Sequence, residues 1–234
     1  MNIYQKLMNS ISDSKPSVIG LIDPDKKNHN LIKNQLRYIN ENDFCSVLVG
    51  GSLLMDSNFD DRINYISSKT NLPLISFPSS SSQLHKKFDA ILFLSLISGR
   101  NPQYLIGEHV NSAPIIYSLG IESIPVGYIL IDGGGLSSVE LMSNTRSLPM
   151  EKVDIIIAHA LASQYLGHKF IYLECGSGAK NAIDLNLLQQ IKKMVSIPLI
   201  VGGGVKNKDD IKNLYNSGAD LIVVGTMIEQ SSKQ

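Results

Sequence analysis

The sequence lacks the features that mark several large classes of protein. Its 21 basic and 21 acidic residues cancel to a net charge of zero, so it has no basic excess of the kind expected in a nucleic-acid-binding protein. It has only two cysteines, Cys45 and Cys175, which stand far apart in apolar surroundings and form no CxxC pair. We therefore predict reduced thiols in a cytoplasmic protein, with a disulfide between them as the alternative.

Long apolar stretches are also missing. The N-terminal segment has no continuous apolar run of the kind found in signal peptides, and no stretch is apolar for long enough to predict a membrane span. No linker, low-complexity tract or charge block divides the 234 residues, of which 43% are hydrophobic. We therefore expect residues 1–234 to form a single domain with a large core.

The sequence does contain a repeated pattern of short runs rich in branched apolar residues. Eight runs occupy residues 17–23, 46–51, 72–76, 90–96, 126–132, 169–174, 197–202 and 220–225. They are apolar along nearly their whole length, which is typical of strands buried on both faces of a parallel sheet. Segments with a helical period, such as residues 185–195, lie between several of them. This alternation predicts an α/β protein with the (β/α)8 fold, a TIM barrel.

The third connection breaks the alternation. Residues 77–89 read FPSSSSQLHKKFD, a stretch with proline and many serines that is a poor helix former. We therefore predict a modified barrel in which the third outer helix is reduced or replaced. Two interpretations stay open, because the segment can be an ordinary loop, or it can leave a gap beside strands 3 and 4 that admits a long apolar ligand.

Glycines follow the last two predicted strands. Residues 202–204 read GGG after the seventh strand, and Gly225 and Thr226 follow the eighth. In barrels of this kind the active site lies at the carboxyl ends of the strands, and the loops after strands 7 and 8 commonly bind phosphate. Backbone N–H groups can approach an anion closely where no Cβ intervenes. The pattern indicates a phosphate site, and the alternative is a pair of turns without a ligand.

The sixth predicted strand ends in a second group of candidate residues. Residues 172–178 read YLECGSG, and the glycines and serine at 176–178 extend the predicted anion site. Tyr172 and Glu174 are two residues apart on a strand, so both side chains should point into the barrel mouth. A carboxylate there can accept hydrogen bonds from substrate hydroxyls or take a proton from one. Its alternative role is a structural ion pair.

The first two predicted strands end in oxygen-bearing side chains. Asp23 opens the segment DPDK after strand 1, and Ser52 follows two glycines after strand 2. A carboxylate and a hydroxyl on adjacent strands suit Mg²⁺, which takes few protein oxygens and keeps the rest of its shell for water and phosphate. The sequence Asp-Pro is also an ordinary strand-ending turn, so the residues alone leave both interpretations open.

Seven segments in a fixed order and spacing carry a family resemblance: LIDPDK, VGGSL, FPS, SGRNPQYLIGEH, YLECGSGA, VGGGVK and VVGT. From about residue 17 to the end, the chain resembles the geranylgeranylglyceryl phosphate synthase family, including its bacterial homologues. The resemblance implies a modified barrel with a replaced third helix. It also implies transfer of a polyprenyl group, such as geranylgeranyl, from its diphosphate to the 3-hydroxyl of sn-glycerol 1-phosphate, with Mg²⁺ as cofactor, in ether-lipid synthesis. We also expect a homo-oligomer.

The resemblance assigns roles to individual positions. It implies that Asp23 and Ser52 are the Mg²⁺ ligands. It places the contacts with glycerol and phosphate on Tyr172, Leu173, Glu174, Cys175, Gly176, Ser177, Gly178, Gly203, Gly204, Gly225 and Thr226. Some branches of the family carry a lysine two residues before the metal-binding aspartate, where this chain has Leu21, so no phosphate contact is expected at that position.

The charges that develop during prenyl transfer suggest a mechanism. Breaking the allylic C–O bond places negative charge on the leaving diphosphate, which Mg²⁺ held by Asp23 and Ser52 would stabilise with help from Lys26. We predict that Glu174 orients and deprotonates the attacking hydroxyl, and that Phe77 and Phe93 line the space for the prenyl tail. Two other functions remain open: a phosphate-binding barrel enzyme such as a sugar-phosphate isomerase or aldolase, and a barrel that binds a phosphometabolite without catalysis.

Overall fold

The strands of the chain close into one parallel barrel. The computed structural model describes residues 1–11 and 15–232. The strands are β1 (Ser17–Ile22), β2 (Ser46–Val49), β3 (Leu74–Ser76), β4 (Ala90–Leu96), β5 (Glu122–Leu130), β6 (Phe170–Glu174), β7 (Leu199–Gly202) and β8 (Leu221–Val224). They pair in sequence order, and β8 pairs with β1 to complete the barrel. The predicted (β/α)8 fold is confirmed.

Helices surround the barrel wall. They are α1 (Ile3–Ile11), α2 (Ile32–Glu41), α3 (Phe59–Lys69), α4 (Gly107–Leu119), α5 (Ser138–Ser143), α6 (Val153–Tyr165), α7 (Leu185–Met194), α8 (Lys208–Asn216) and α9 (Thr226–Ser231). Local capping fixes where two of them begin. The Asp184 side chain accepts a hydrogen bond from the Leu187 N–H at the start of α7, and Asn207 and Asp210 form a capping box at the start of α8. These caps therefore set the ends of the loops that follow β6 and β7.

The connection between β3 and β4 has no α-helix. Its one helical element within the described residues is a short 3₁₀ helix, Ser81–Gln83. Gln83 is buried, and its Nε2 donates hydrogen bonds to the Gly51 carbonyl at 2.8 Å and to the Ser79 hydroxyl at 2.9 Å. The prediction that the third outer helix is replaced is confirmed. The segment that replaces it is attached to the loop after β2.

Alternate strand residues supply two apolar layers. Inward-facing residues such as Ile19, Leu48 and Tyr172 fill the barrel, whereas outward-facing ones such as Ile22, Val49 and Leu173 pack against the helices. This double burial explains why the strands read as continuous apolar runs. At the amino-terminal end of the strands, α1 adds residues to the inner layer, so that end is filled and the carboxyl end is left for a site.

The largest difference between predicted and observed strand bounds is in β5. The sequence predicted strand 5 at residues 126–132, but β5 covers Glu122–Leu130. The reason is pairing with β4, whose seven residues align with residues 122–128 and extend β5 towards its amino end. Both cysteines are free, so the alternative of a disulfide between them is wrong. Within the described part of the chain, no helix combines the length and apolar composition needed to cross a membrane.

Candidate active site

A cavity of about 740 Å³ opens at the carboxyl ends of the strands. Its size is in the range of pockets that bind small molecules. Predicted site residues from five different strand ends line it: Asp23, Ser52, Tyr172, Glu174, Ser177, Gly178, Gly203, Gly204, Gly225 and Thr226. The barrel thus brings these residues together although they are spread over 200 positions of the sequence. The cavity has a polar part beside β6, β7 and β8 and an apolar part beside β3, β4 and α4.

The loop after β7 forms the wall of the polar part. Gly203 and Gly204 both have left-handed backbone conformations, with φ of +85° and +73°. A Cβ at Gly203 would lie only 2.7 Å from Glu174 Oε1 and 2.8 Å from the Gly176 nitrogen. Glycine is therefore required here for both conformation and space. The close approach leaves the loop backbone at the cavity surface, where it can contact an anion.

Three residues predicted to contact substrate do not line the cavity: Leu173, Cys175 and Gly176. Leu173 and Cys175 are buried in the layer between the barrel and the helices, because strand residues on either side of an inward-facing residue must point outward. Their side chains therefore point away from the cavity, and the predicted substrate contacts at these two positions stay a prediction. Gly176 donates its N–H to Glu174 Oε1 at 2.6 Å, so this donor serves the carboxylate and is not available to a phosphate.

Glu174 is a buried acid at the centre of the polar part. It is 6% exposed, and burial raises its pKa to about 7, although the hydrogen bond from Gly176 opposes this shift. No lysine or arginine of the described residues forms an ion pair with it. This absence argues against the structural ion pair considered for Glu174. A carboxyl group with such a pKa can accept or release a proton near neutral pH.

Tyr172 places a hydroxyl beside this carboxylate. Its ring stacks on Phe77 with centroids 5.3 Å apart and planes at 18°, and it packs against Tyr128 at 5.3 Å. Burial raises the pKa of this hydroxyl, and the adjacent Glu174 carboxylate raises it further. The contact between the two groups falls short of full hydrogen-bond geometry, so the hydroxyl can still take a ligand hydroxyl as a partner.

Tyr128 also lines the cavity but was not identified from the sequence. It pairs directly with Tyr172 across β5 and β6, so both rings face the barrel interior. The sequence does show an aromatic residue near the carboxyl end of strand 5, as it does in strand 6. It does not show the register between the two strands, which is what places Tyr128 opposite Tyr172.

The loops after β1 and β2 form the opposite side of the mouth. Asp23 Oδ1 accepts a hydrogen bond from the Asp25 N–H at 3.1 Å, and Oδ2 lies 3.1 Å from Lys27 Nζ. The sequence predicted that Lys26 assists here, but its side chain lies outside the described part of the structure. Lys27, which lines the cavity, was not identified from the sequence.

The donor set at Asp23 and Ser52 can be compared with the needs of Mg²⁺. The described residues contain no group of three His, Cys, Asp or Glu side chains that could enclose a metal. Asp23 and Ser52 both line the cavity and supply hard oxygen donors. Mg²⁺ is usually held by one or two carboxylates together with water and substrate phosphates. The residues fit a magnesium ion that binds together with a phosphate-bearing substrate.

The apolar part of the cavity extends under α4. Its walls are Leu84, Phe93, Leu94, Leu96, Tyr104, His109, Val139, Leu141 and Met142. His109 stands edge-on to Phe93 with ring centroids 4.5 Å apart, and its Nε2 is 3.1 Å from the Ser95 hydroxyl. Burial lowers the pKa of His109 and so favours the uncharged ring. Phe77 and Phe93 line the cavity, where the sequence placed them, and the space suits an extended apolar group.

The chain is thus a (β/α)8 barrel whose cavity combines glycine loops from β6 to β8 and a buried acid with an apolar cleft beside the connection that lacks a helix. The chain belongs to the PcrB family, whose model matches residues 9–234. Many proteins similar to this chain are named geranylgeranylglyceryl phosphate synthase. The resemblance found in the sequence is therefore confirmed.

Individual relatives support this membership along the whole chain. The geranylgeranylglyceryl phosphate synthase (GGGPS) of Flavobacterium johnsoniae is 42% identical over 230 residues, which cover 98% of this chain and 95% of that protein. The solved GGGPS of Thermoplasma volcanium has a TM-score of 0.90 at 30% identity and covers 100% of this chain and 93% of its own. The enzyme of Thermoplasma acidophilum, solved with sn-glycerol-1-phosphate, has a TM-score of 0.88 at 31% identity. The match covers 98% of this chain and 92% of that one.

Proposed function

We propose that this chain is a prenyltransferase that joins a polyprenyl group, such as geranylgeranyl, to the 3-hydroxyl of sn-glycerol 1-phosphate and releases diphosphate. The observation that carries the proposal is the two-part cavity, in which glycine loops and Glu174 adjoin an apolar cleft. A sugar-phosphate isomerase or aldolase has no use for the cleft. The names of the relatives, and the ligand of the Thermoplasma acidophilum structure, support the same reaction.

The acceptor binds in the polar part of the cavity. The loops at Gly178, Gly203 and Gly225 receive its phosphate, which places the glycerol hydroxyls beside Tyr172 and Glu174. The Tyr172 hydroxyl, which makes no well-aligned hydrogen bond within the described residues, donates one to the glycerol and orients it. Deprotonated Glu174 accepts the proton of the 3-hydroxyl. The freed oxygen forms a bond to C1 of the prenyl group, and the electron pair of the breaking C1–O bond leaves with the diphosphate.

The prenyl diphosphate binds with its two ends in different surroundings. Its tail lies in the apolar cleft against Phe77 and Phe93, which exclude water from the reacting carbon. Its diphosphate lies at the mouth near Asp23 and Ser52, the residues that would hold Mg²⁺. When bound, the metal supplies positive charge that stabilises the leaving diphosphate. Holding both substrates in one cavity makes the reaction effectively unimolecular.

The outer faces of α4 and α6 support the predicted homo-oligomer. Val110 and Tyr117 on α4 are 64% and 89% exposed, and Ile155 and Tyr165 on α6 are 42% and 79% exposed. Apolar residues are spread around both helices instead of lying on one face, so each helix exposes apolar side chains that another surface can cover. We propose a second copy of this chain as that surface. Light scattering after gel filtration tests it, because a monomer at micromolar concentration contradicts the proposal.

The test of the proposed function is an assay of the purified protein with radiolabelled glycerol 1-phosphate and prenyl diphosphates of several lengths. We expect label to move into an organic extract with sn-glycerol 1-phosphate, with little transfer from its mirror image, and we expect EDTA to stop the transfer. Binding of glycerol 1-phosphate without consumption of any prenyl diphosphate would instead favour a non-catalytic barrel. Conversion of a sugar phosphate that continues in the presence of EDTA would favour an isomerase or aldolase.

A further inference from the structure

Arg62 is a buried cation that lies behind the wall of the cavity. It belongs to α3, its side chain is 3% exposed, and it is not among the residues that line the cavity. A guanidinium removed from water is unfavourable unless it is paired and hydrogen-bonded. Its partners therefore indicate why a charge occupies this position.

The partners of Arg62 come from both loops that carry the predicted metal ligands. Its Nη1 and Nη2 donate to the two carboxylate oxygens of Asp56 at 2.7 and 2.6 Å. Nη1 also donates to the carbonyl of Pro24 at 3.1 Å, and Nε lies 3.3 Å from His29 Nδ1. Pro24 directly follows Asp23, and Asp56 belongs to the segment that begins at Gly50 and contains Ser52. One guanidinium thus bridges the β1 loop (residues 23–31) and the β2 loop (residues 50–58).

A second connection joins the same two loops. Asp25, which is 4% exposed, accepts a hydrogen bond from the Met55 N–H at 2.8 Å. Its own N–H donates to Asp23 Oδ1 at 3.1 Å. The Asp23 carboxylate is therefore linked through Asp25 and Met55 to Asp56, and from there to Arg62. A displacement of the guanidinium would move the two loops relative to each other.

We propose that Arg62 is a positioning residue that fixes the separation between the Asp23 carboxylate and the Ser52 hydroxyl. The inference rests on the proposed function, in which these two side chains hold the metal and diphosphate end of the substrate. Arginine suits the task because its planar fork can bind a carboxylate through two nitrogens and still donate to a carbonyl. Lysine keeps the charge but has a single nitrogen, so it cannot maintain all of these contacts.

The experiment compares Arg62→Lys with a control that breaks an ion pair elsewhere. The control, Lys192→Met, removes the 2.5 Å pair between Lys192 and Asp220, which lies outside the cavity. Calorimetry measures binding of inorganic diphosphate in the presence of Mg²⁺ and, separately, binding of glycerol 1-phosphate. Thermal melting reports stability, and steady-state rates give KM for each substrate.

We expect Arg62→Lys to weaken binding of diphosphate with Mg²⁺ by about 10- to 100-fold, the usual effect of changing a residue that orients a metal ligand. KM for prenyl diphosphate should rise in parallel, while affinity for glycerol 1-phosphate should change less than about twofold, because that substrate binds at the other side of the mouth. Lys192→Met should lower the melting temperature and leave both affinities unchanged. Asp56→Asn, a smaller change, should alter diphosphate binding in the same direction.

Other outcomes separate the inference from the proposed function. A folded Arg62→Lys protein with unchanged diphosphate binding would show that Arg62 only stabilises the fold. If Arg62→Lys fails to fold, unchanged diphosphate binding in Asp56→Asn overturns the inference in the same way. Equal losses for both substrates would also overturn it, since they indicate a general distortion of the mouth. A wild-type protein that binds glycerol 1-phosphate but neither binds diphosphate with Mg²⁺ nor consumes prenyl diphosphate would overturn both the inference and the proposed function.

Discussion

The Tyr172 hydroxyl and the Glu174 carboxylate lie against the same point of the backbone. A Cβ added at Gly202 would lie 2.3 Å from the Tyr172 hydroxyl oxygen and 3.0 Å from Glu174 Oε2. Glycine at the end of β7 thus leaves room for two polar groups from β6 side by side. Together they can bind a substrate hydroxyl, with Tyr172 as hydrogen-bond donor and Glu174 as acceptor. This is the arrangement needed to orient and deprotonate an alcohol.

The first prediction concerns the rate of transfer by Glu174→Gln. Glutamine keeps the shape and can still accept the Gly176 hydrogen bond, but it cannot take a proton, so turnover should fall by about 10²- to 10⁴-fold. Because burial raises the pKa of Glu174 to about 7, the wild-type rate should increase with pH up to about 7 and then level off. The pH dependence of kcat/KM checks this. A wild-type rate that is flat between pH 5 and 8 contradicts the assignment of Glu174 as the base.

The second prediction concerns stability in the absence of substrate. The pKa of Glu174 is raised from 4.5 to about 7 on folding, so between these values the folded protein holds a proton that the unfolded chain has released. The stabilisation is complete below pH 4.5 and is lost as the pH rises through 7, at a cost on the order of 3 kcal/mol. Urea unfolding at pH 5 and pH 8 measures it. The loss between the two pH values should be smaller in Glu174→Gln, and equal losses in both proteins would show that Glu174 is not the group responsible.

The third prediction concerns the loop after β7. Gly203→Val should strain the backbone at φ +85° and press on Glu174 and Gly176, so the phosphate loses close backbone contact. Loss of a charge-assisted hydrogen bond corresponds to roughly 10- to 150-fold weaker binding of glycerol 1-phosphate. Prenyl diphosphate should bind almost as before. Separate titrations of the two substrates measure these effects.

Gly167→Val is the matched control for that substitution. Gly167 also has a φ of +85°, but a Cβ there would meet nothing within 4 Å, so the variant carries backbone strain without a change in the cavity. It should bind glycerol 1-phosphate normally. Unchanged affinity in a folded Gly203→Val protein would mean that the glycines after β7 form an ordinary turn.

The fourth prediction concerns Asp23→Asn. Asparagine keeps the size and can accept the hydrogen bond from Asp25, but it removes the charge that would anchor Mg²⁺, so turnover should be abolished while glycerol 1-phosphate still binds. The substitution also breaks the pair with Lys27, whose side chain is 68% exposed. Exposed ion pairs contribute little to stability, so the fold should persist. Lys27→Met breaks the same pair but keeps the carboxylate, and its turnover should still depend on Mg²⁺. Near-normal activity of Asp23→Asn would contradict the metal assignment.

The barrel could be predicted because each of its strands can be recognised from a short stretch of sequence. Each strand is buried on both faces and therefore appears as an apolar run, and the serine-rich segment before β4 shows directly that a helix is missing. Tyr172 and Glu174 were found for a similar reason, because alternation along one strand places both on the inner face. The same rule places the side chains of Leu173 and Cys175 on the outer face of the barrel wall.

The residues that were missed depend on contacts between distant segments. Tyr128 enters the site through the register of β5 with β6, and Lys27 through the turn that carries it back to Asp23. Arg62 is 38 positions from Pro24, and nothing in the helix that contains it marks it as part of a site. The tertiary fold creates these relationships, so no local pattern of residue types encodes them.

The absence of an outer helix between β3 and β4 has a consequence for the movement of substrate and product. If the barrel mouth were the sole opening, a long hydrocarbon would have to move along its own length to reach the reacting position and again to leave. The apolar cleft beside β4 and under α4 would allow it to move sideways instead, over a distance set by the width of the cleft. The number of carbons in the chain then has little effect on the path of release, and the strands do not have to separate for the product to depart.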